Sequence, residues 1–353
     1  MTSTRSQSIV MVTAKVFFTV LSLLLLTWLV YRVREVLFLL FIAFIVSSAL
    51  YPPVNWLKSK KFPRHLSILA FYVVFLILLS AVALLVSDML ANEGRQFMLH
   101  LPQYLDQAQL TVSKIYFGGK QFNLLESISN NLRNLINQSM QVALTSLEYL
   151  FSLVRGMFGI VTVLVFTFFF LSDTHYFEKT CLHLIPTEHR SSVDSFSRRL
   201  IQKIGAYIRG QFCIMCIIGT LIWLTLSALG IPYALILGLL AFLLDAIPIV
   251  GPLVSASFGI IVALGHNPSS ALLVAVAYFV IQHIESYFLG PTIIGRSLGL
   301  HPFWILMSIL LSEMLLGIEG LLIAIPLGLV IALLIDEFYT KYTPNPIESN
   351  PNP

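Results

Sequence analysis

The chain has 353 residues, 57% of them hydrophobic and only 11% charged, with a formal net charge of +4 and a mean hydropathy of +0.87. A soluble globular chain carries roughly 25% charged residues. The composition therefore excludes an ordinary soluble domain and places the chain in a bilayer.

Uncharged apolar runs cover residues 16–31, 36–57, 66–87, 156–172, 210–244 and 320–335, and about 20 apolar residues suffice to cross a membrane. These runs are apolar on every face, which fits helices and not the short alternating strands of a barrel. The expected fold class is an all-α polytopic membrane protein. It has about eight transmembrane segments, including or plus two re-entrant helical hairpins.

The first run follows Arg5 and Lys15 and ends at Tyr31-Arg32 without a small-residue cleavage site, so it reads as a span and not a cleaved signal. The chain returns over 36–51 into a short acid-free loop holding Lys58, Lys60, Lys61 and Arg64. The positive-inside rule puts that loop in the cytoplasm and explains its charge without nucleic acid. Residues 66–87 then cross outward, completing a first block of membrane helices over 1–88.

Residues 89–149 are amphipathic and rich in Asn and Gln. Leu124, Ile128, Leu132, Leu135 and Ile136 recur at helical spacing, and Gly118-Gly119 marks a break. An extracytoplasmic helical segment is expected here, a disordered linker being the alternative. A membrane helix follows, then a segment with Lys179, Arg190, Arg198, Arg199 and Lys203, which is again expected in the cytoplasm, so that 150–209 forms one block. Both termini fall on the cytoplasmic side, and 341–353 reads as a disordered tail.

From residue 210 to 340 the apolar sequence is cut repeatedly by glycine and proline, the mark of discontinuous membrane helices. Cys213 and Cys216 form a CxxC without a second pair or nearby histidines, and read as packing residues, not as a metal or redox site. Residues 233–264 form a hairpin turning near Asp245 to Pro252, and 302–335 a second turning near Gly317 to Gly320. If 210–229 spans outward and 270–288 spans inward, the two halves are inverted repeats, each a span followed by a re-entrant hairpin, with substrate held where the tips meet. Two ordinary hairpins crossing the whole membrane are the alternative.

An ionisable group inside a bilayer needs a partner, water or a function. Asp245, Glu285, Glu313 and Glu319 all lie in or beside this region. Asp245 precedes Pro248 and Pro252, which lack amide hydrogens and free carbonyls to face a cavity. Gln282 and Glu285 share a helix face, with His283 pointing away, and Gly290-Pro291 is expected to take the chain out of that helix. Glu313 and Glu319 flank Gly317 in the second turn. Their competing readings are structural hydrogen bonds for Asp245, bracing of another helix for Gln282 and Glu285, and a solvated turn for the other two. His266 and His301, at span edges, read as interface residues. No P-loop, HExxH, GxSxG or metal-ligand spacing occurs, so neither an enzyme nor a cofactor is expected.

The segments DAIPIVGP, QHIESYFLGPTIIG, LHPFWILMSIL and GIEGLLIAIPLG follow one another in this order. Together with LYPPVNWLKSKKFPR after the second span and Tyr207 to Gln211 before the fifth, they make almost the whole chain resemble the AI-2E transporter family, also called the PerM-like family. The resemblance implies a bacterial inner-membrane homo-oligomer that exports a small polar signal such as autoinducer-2, coupled to H+ or Na+. Some relatives are assigned sodium or lithium/proton antiport instead, and a non-transporting scaffold built on 89–149 is a third reading. The positions carried over by motif are Asp245, Pro248, Gly251, Pro252, Gln282, Glu285, Pro291, Gly295, Pro302, Gly317, Gly320 and Pro326.

Overall fold

The computed structural model describes residues 2–113, 146–173, 183, 185–294 and 302–342. Among them the chain is helical, without strands: α1 (Thr2–Arg32), α2 (Arg34–Ser59), α3 (Arg64–Ser113), α4 (Ser146–Ser172), α5 (Arg190–Ala228), α6 (Ala234–Leu244), α7 (Val250–His266), α8 (Pro268–Ile284), α9 (Pro302–Leu316), α10 (Ile318–Leu321) and α11 (Ala324–Tyr342). A 3-10 turn (Thr187–His189) precedes α5, and a π-helical segment (Glu285–Ile294) extends α8. The Gly118-Gly119 break, the apolar positions from Leu124 to Ile136, Gly295, His301 and the tail from residue 343 lie outside the described residues.

Large apolar side chains stand on the outside: Phe17, Trp28, Leu78, Phe158, Leu272 and Met314 are all more than half exposed. In water such a surface would drive aggregation, whereas hydrocarbon is the solvent these helices need, since each satisfies its own backbone. Helices Arg34–Ser59, Thr187–Ala228 and Ser269–Ile294 are long and apolar enough to cross a membrane. The protein is an all-α polytopic membrane protein.

Two helices run through boundaries that composition suggested. α3 continues unbroken from the apolar run into the amphipathic segment, and its 50 residues make it about 75 Å long. That is far beyond the roughly 30 Å of hydrocarbon, so its second half projects from the bundle. Likewise α5 joins the basic segment to the apolar one in a single helix of 39 residues, with no break at residue 209. Arg199 near its start is ion-paired with Glu337 of α11.

Because lipid is as apolar as a leucine side chain, close packing and not water expulsion must hold these helices together, and small residues permit it. Gly205 of α5 lies against the carbonyl of Ser48 on α2, and Arg209 donates to the Ala49 carbonyl at 3.0 Å. Farther along, Gly219 of α5 faces Gly238 of α6, and a β-carbon at Gly219 would sit 2.6 Å from that of Phe242. In the first bundle the Tyr72 hydroxyl donates to the Leu164 carbonyl at 2.9 Å, tying α3 to α4.

α5 is the spine on which the rest is registered. Its later half packs with α6, α7, α8 and the projecting part of α3 in one apolar cluster that includes Ile218, Leu226, Ile231, Phe97 and Leu101. Its earlier half joins α2 and α11 in a second cluster containing Ile45, Ile204, Tyr207, Ile323 and Ile325. Ile294, at the end of the π-helical segment, packs against both.

Candidate functional site

Two helical hairpins meet α5 from opposite ends. The first is α6 and α7, whose tip carries Asp245; the second is α9, α10 and α11, whose tip is the turn around Gly317 to Ile323. α6 has 11 residues and is only about 16 Å long, too short to cross. Its base sits beside Leu226 and Ile231, near the end of α5, while its tip bonds Gln211. The second hairpin has its base where Glu337 pairs with Arg199 and its tip residues Ile323 and Ile325 clustered with Ile204 and Tyr207. The contacts of the two tips are thus staggered along α5 by the four residues from Tyr207 to Gln211, about 6 Å of helix rise.

Each tip has a local cause. In the first, Val250 donates to the Pro248 carbonyl at 2.7 Å around Ile249, whose φ of 67° and ψ of −53° make a tight γ-turn, a strained conformation for a β-branched residue. Gly251 follows because a β-carbon there would lie 1.8 Å from the Leu244 carbonyl. Pro252 stands in the first turn of α7, where a missing amide hydrogen leaves no bond unmade. The second tip repeats the devices: Gly317 takes φ 66° and ψ −150°, open only to glycine, and Gly320 leaves no room for a β-carbon against the Ser312 carbonyl. Pro326 again falls in the first turn of the returning helix, and Pro302 opens α9.

Asp245 is 3% exposed. The Gln211 side-chain amide donates to its main-chain carbonyl at 2.9 Å and to its Oδ2 at 3.3 Å. Tyr207, one turn earlier on α5, and Glu285 are both close enough to interact with its charge. Gln282 donates to Glu285 Oε2 at 3.0 Å. Asp245 and Gln282 line one small recess with Pro252, Ser255, Tyr278, Ile218 and Ile222. The structure therefore gathers Asp245, Gln282 and Glu285 at one place. It puts Glu313 and Glu319 elsewhere, exposed at the second turn.

Other positions differ from what the sequence suggests. Gly290-Pro291 does not take the chain out of the helix; both lie in the π-helical stretch from Glu285 to Ile294, whose wider turn accommodates a ring that clashes with a regular α-helix. His283 does face away, its ring against Phe279 and Tyr287. His266 is exposed. Cys213 and Cys216 are free and exposed on the outer face of α5, not packed inside. Among the described residues no cluster of His, Cys, Asp and Glu could hold a metal. Sequence reasoning passed over Gln211, Ser255 and Tyr278. A signal for Tyr278 was present, since it precedes Gln282 by four residues and so shares its face.

At the first hairpin's base, the projecting part of α3 forms a clamp. Tyr233, at a φ of 61°, bonds His100 Nδ1 at 3.0 Å and packs its ring edge-on against Phe97 and Tyr104. Tyr104 in turn fills the space beside Gly265 on α7.

A family model described as "AI-2E family transporter" matches residues 16–340. The chain is 28% identical over 303 residues to "Putative transport protein YueF" of Bacillus subtilis, covering 83% of this chain and 82% of the relative. It is 27% identical over 359 residues to "Putative transport protein YrrI" of the same organism, covering 95% of each. With "AI-2 transport protein TqsA" of Escherichia coli it shares 26% identity over 301 residues, covering 84% of this chain and 83% of the relative.

Proposed function

The chain belongs to the AI-2E transporter family, and from that premise we propose that it is a secondary transporter of the bacterial inner membrane that exports a small polar signalling molecule such as autoinducer-2, driven by an ion gradient. The observation that carries this reading is the approach of two oppositely directed hairpin tips to α5 within about one turn, with three polar side chains, Asp245, Gln282 and Glu285, beside one of them. Short helices that end inside the membrane, with ionisable groups at their ends, are the equipment of alternating access. The solute occupies the space between the tips, and each hairpin gates one side.

Orientation follows from charge. With Lys58, Lys60, Lys61 and Arg64 in the cytoplasm, the first hairpin and the projecting end of α3 face outward, and the second hairpin faces inward. The termini are then cytoplasmic. α1, whose side chains from Phe17 to Arg32 are exposed all round, supports assembly with other copies in a homo-oligomer.

The test is flux in liposomes containing purified protein, comparing autoinducer-2 efflux with sodium-driven proton movement and repeating both with Glu285→Gln. Signal efflux that is lost in the variant supports the reading; absence of polar-solute flux under any imposed gradient defeats it. The second reading, sodium or lithium/proton antiport, is favoured by the small size of the recess under the first tip, which suits an ion better than an organic molecule. Sodium-driven proton movement without signal flux would establish it.

A further inference from the structure

Ser255 of α7 and Tyr278 of α8 are 2% and 8% exposed. Their hydroxyl oxygens are buried without a hydrogen-bond partner, although both line the recess beside Asp245 and Gln282. A buried polar group left unpaired costs about 1–3 kcal/mol. Two of them converging on one recess call for an occupant.

The groups left unspent around that recess are all oxygens. Gln211 takes Oδ2 and the main-chain carbonyl of Asp245, leaving Oδ1. The Gln282 amide nitrogen is engaged by Glu285, leaving its carbonyl oxygen. Among the described residues neither Asp245 nor Glu285 has a cationic side chain within salt-bridge distance, so two neighbouring carboxyl groups stand without a fixed counter-charge. The recess has room for about one water-sized occupant.

We propose that Asp245, Ser255, Tyr278 and Gln282 form a binding site for one monovalent cation of sodium's size. The site serves as the coupling-ion site of the transport reading above, on which this inference rests. Hard oxygen donors suit such an ion. A divalent ion would draw more carboxylates and water than the recess admits.

The test measures binding and not transport: radioactive sodium bound to the full-length protein in detergent, in a choline buffer, together with the sodium dependence of its melting temperature. One sodium per chain is expected, with a melting temperature that rises with sodium. Ser255→Ala and Tyr278→Phe should each weaken binding about tenfold or more. Ser257→Ala, whose hydroxyl bonds the Leu253 carbonyl on the exposed face of α7, should bind as the unaltered protein does. Neither Ser255→Ala nor Tyr278→Phe should lower the melting temperature without sodium, because each removes an unpaired group.

No sodium-dependent shift, or sodium binding that survives both substitutions, means that the recess holds structural water only and overturns the proposal. Solute flux driven by protons alone, with no sodium bound, would overturn it too while leaving the transport reading intact. Sodium binding with this variant pattern but no solute flux would leave the cation site standing and remove the exporter.

Discussion

Gln211 donates one side-chain amide to both the main-chain carbonyl (2.9 Å) and the carboxylate (3.3 Å) of Asp245, and so fastens the tip of the first hairpin to the spine helix α5. A hydrogen bond to a charged group contributes about 1.5–3 kcal/mol. Gln211→Leu should therefore lower flux roughly tenfold or more and make the tip more accessible to a thiol reagent in an Ile249→Cys background. Unchanged flux and labelling would mean that the tip is held by other contacts.

Glu285 lies near Asp245, whereas Glu313 and Glu319 stand exposed at the other turn. Glu285→Gln should abolish coupled flux in liposomes. Glu313→Gln and Glu319→Gln should leave it within about twofold, as surface substitutions away from special contacts usually do. A loss in either exposed variant equal to that of Glu285→Gln would show that the second tip carries its own ligand.

The crossing of α5 and α6 depends on two glycines face to face. A β-carbon on Gly238 would lie 2.6 Å from that of Trp223 and 2.8 Å from the Gly219 carbonyl. Overpacking of this kind costs about 1–3 kcal/mol, so Gly238→Val should lower the melting temperature in detergent. Gly156→Val, with open space around it, is the comparison and should shift it much less.

At the first tip the left-handed backbone of Ile249 is held by the surrounding turn. Substituting glycine at an ordinary exposed position in a helix costs about 0.5–1 kcal/mol. Ile249→Gly should cost nothing measurable, because relief of the strained φ offsets the greater freedom of the unfolded chain. Leu253→Gly, on the exposed face of α7, should show the ordinary loss. Equal losses in thermal melts would mean that Ile249 is not strained.

Tyr104 and Gly265 are near enough to test whether the hairpin base moves: a β-carbon on Gly265 would lie 3.1 Å from that of Tyr104, close to the spacing of a disulfide. In a background lacking the native cysteines, Tyr104→Cys with Gly265→Cys should cross-link on oxidation and leave flux nearly unchanged, since only the tip has to move. Flux lost on oxidation and regained on reduction would show that the whole hairpin swings.

Much of this architecture is written in composition and in the placement of glycine and proline. Pro248, Gly251, Pro252, Gly317, Gly320 and Pro326 mark both turns because steric exclusion at a tip acts within a few residues, which is the range a sequence displays. The pairing of Gln211 with Asp245 spans 34 positions and has no local signature. Neither does the meeting of Ser255 with Tyr278, which depends on how α7 lies against α8 at Gly259. Pro291 misleads for a related reason. Proline forbids the regular α-helical bond but not a wider turn, and only packing decides between a wider turn and an end.

The stagger of the two tips along α5 has an electrical consequence. With water reaching the tips from both faces, the insulating layer between the two compartments thins to little more than the turn from Tyr207 to Gln211, and the membrane voltage falls almost wholly across it. An ion passing that single turn then does nearly the full electrical work of crossing the membrane, about 2.3 kcal/mol per charge for each 100 mV, after moving only a few ångströms.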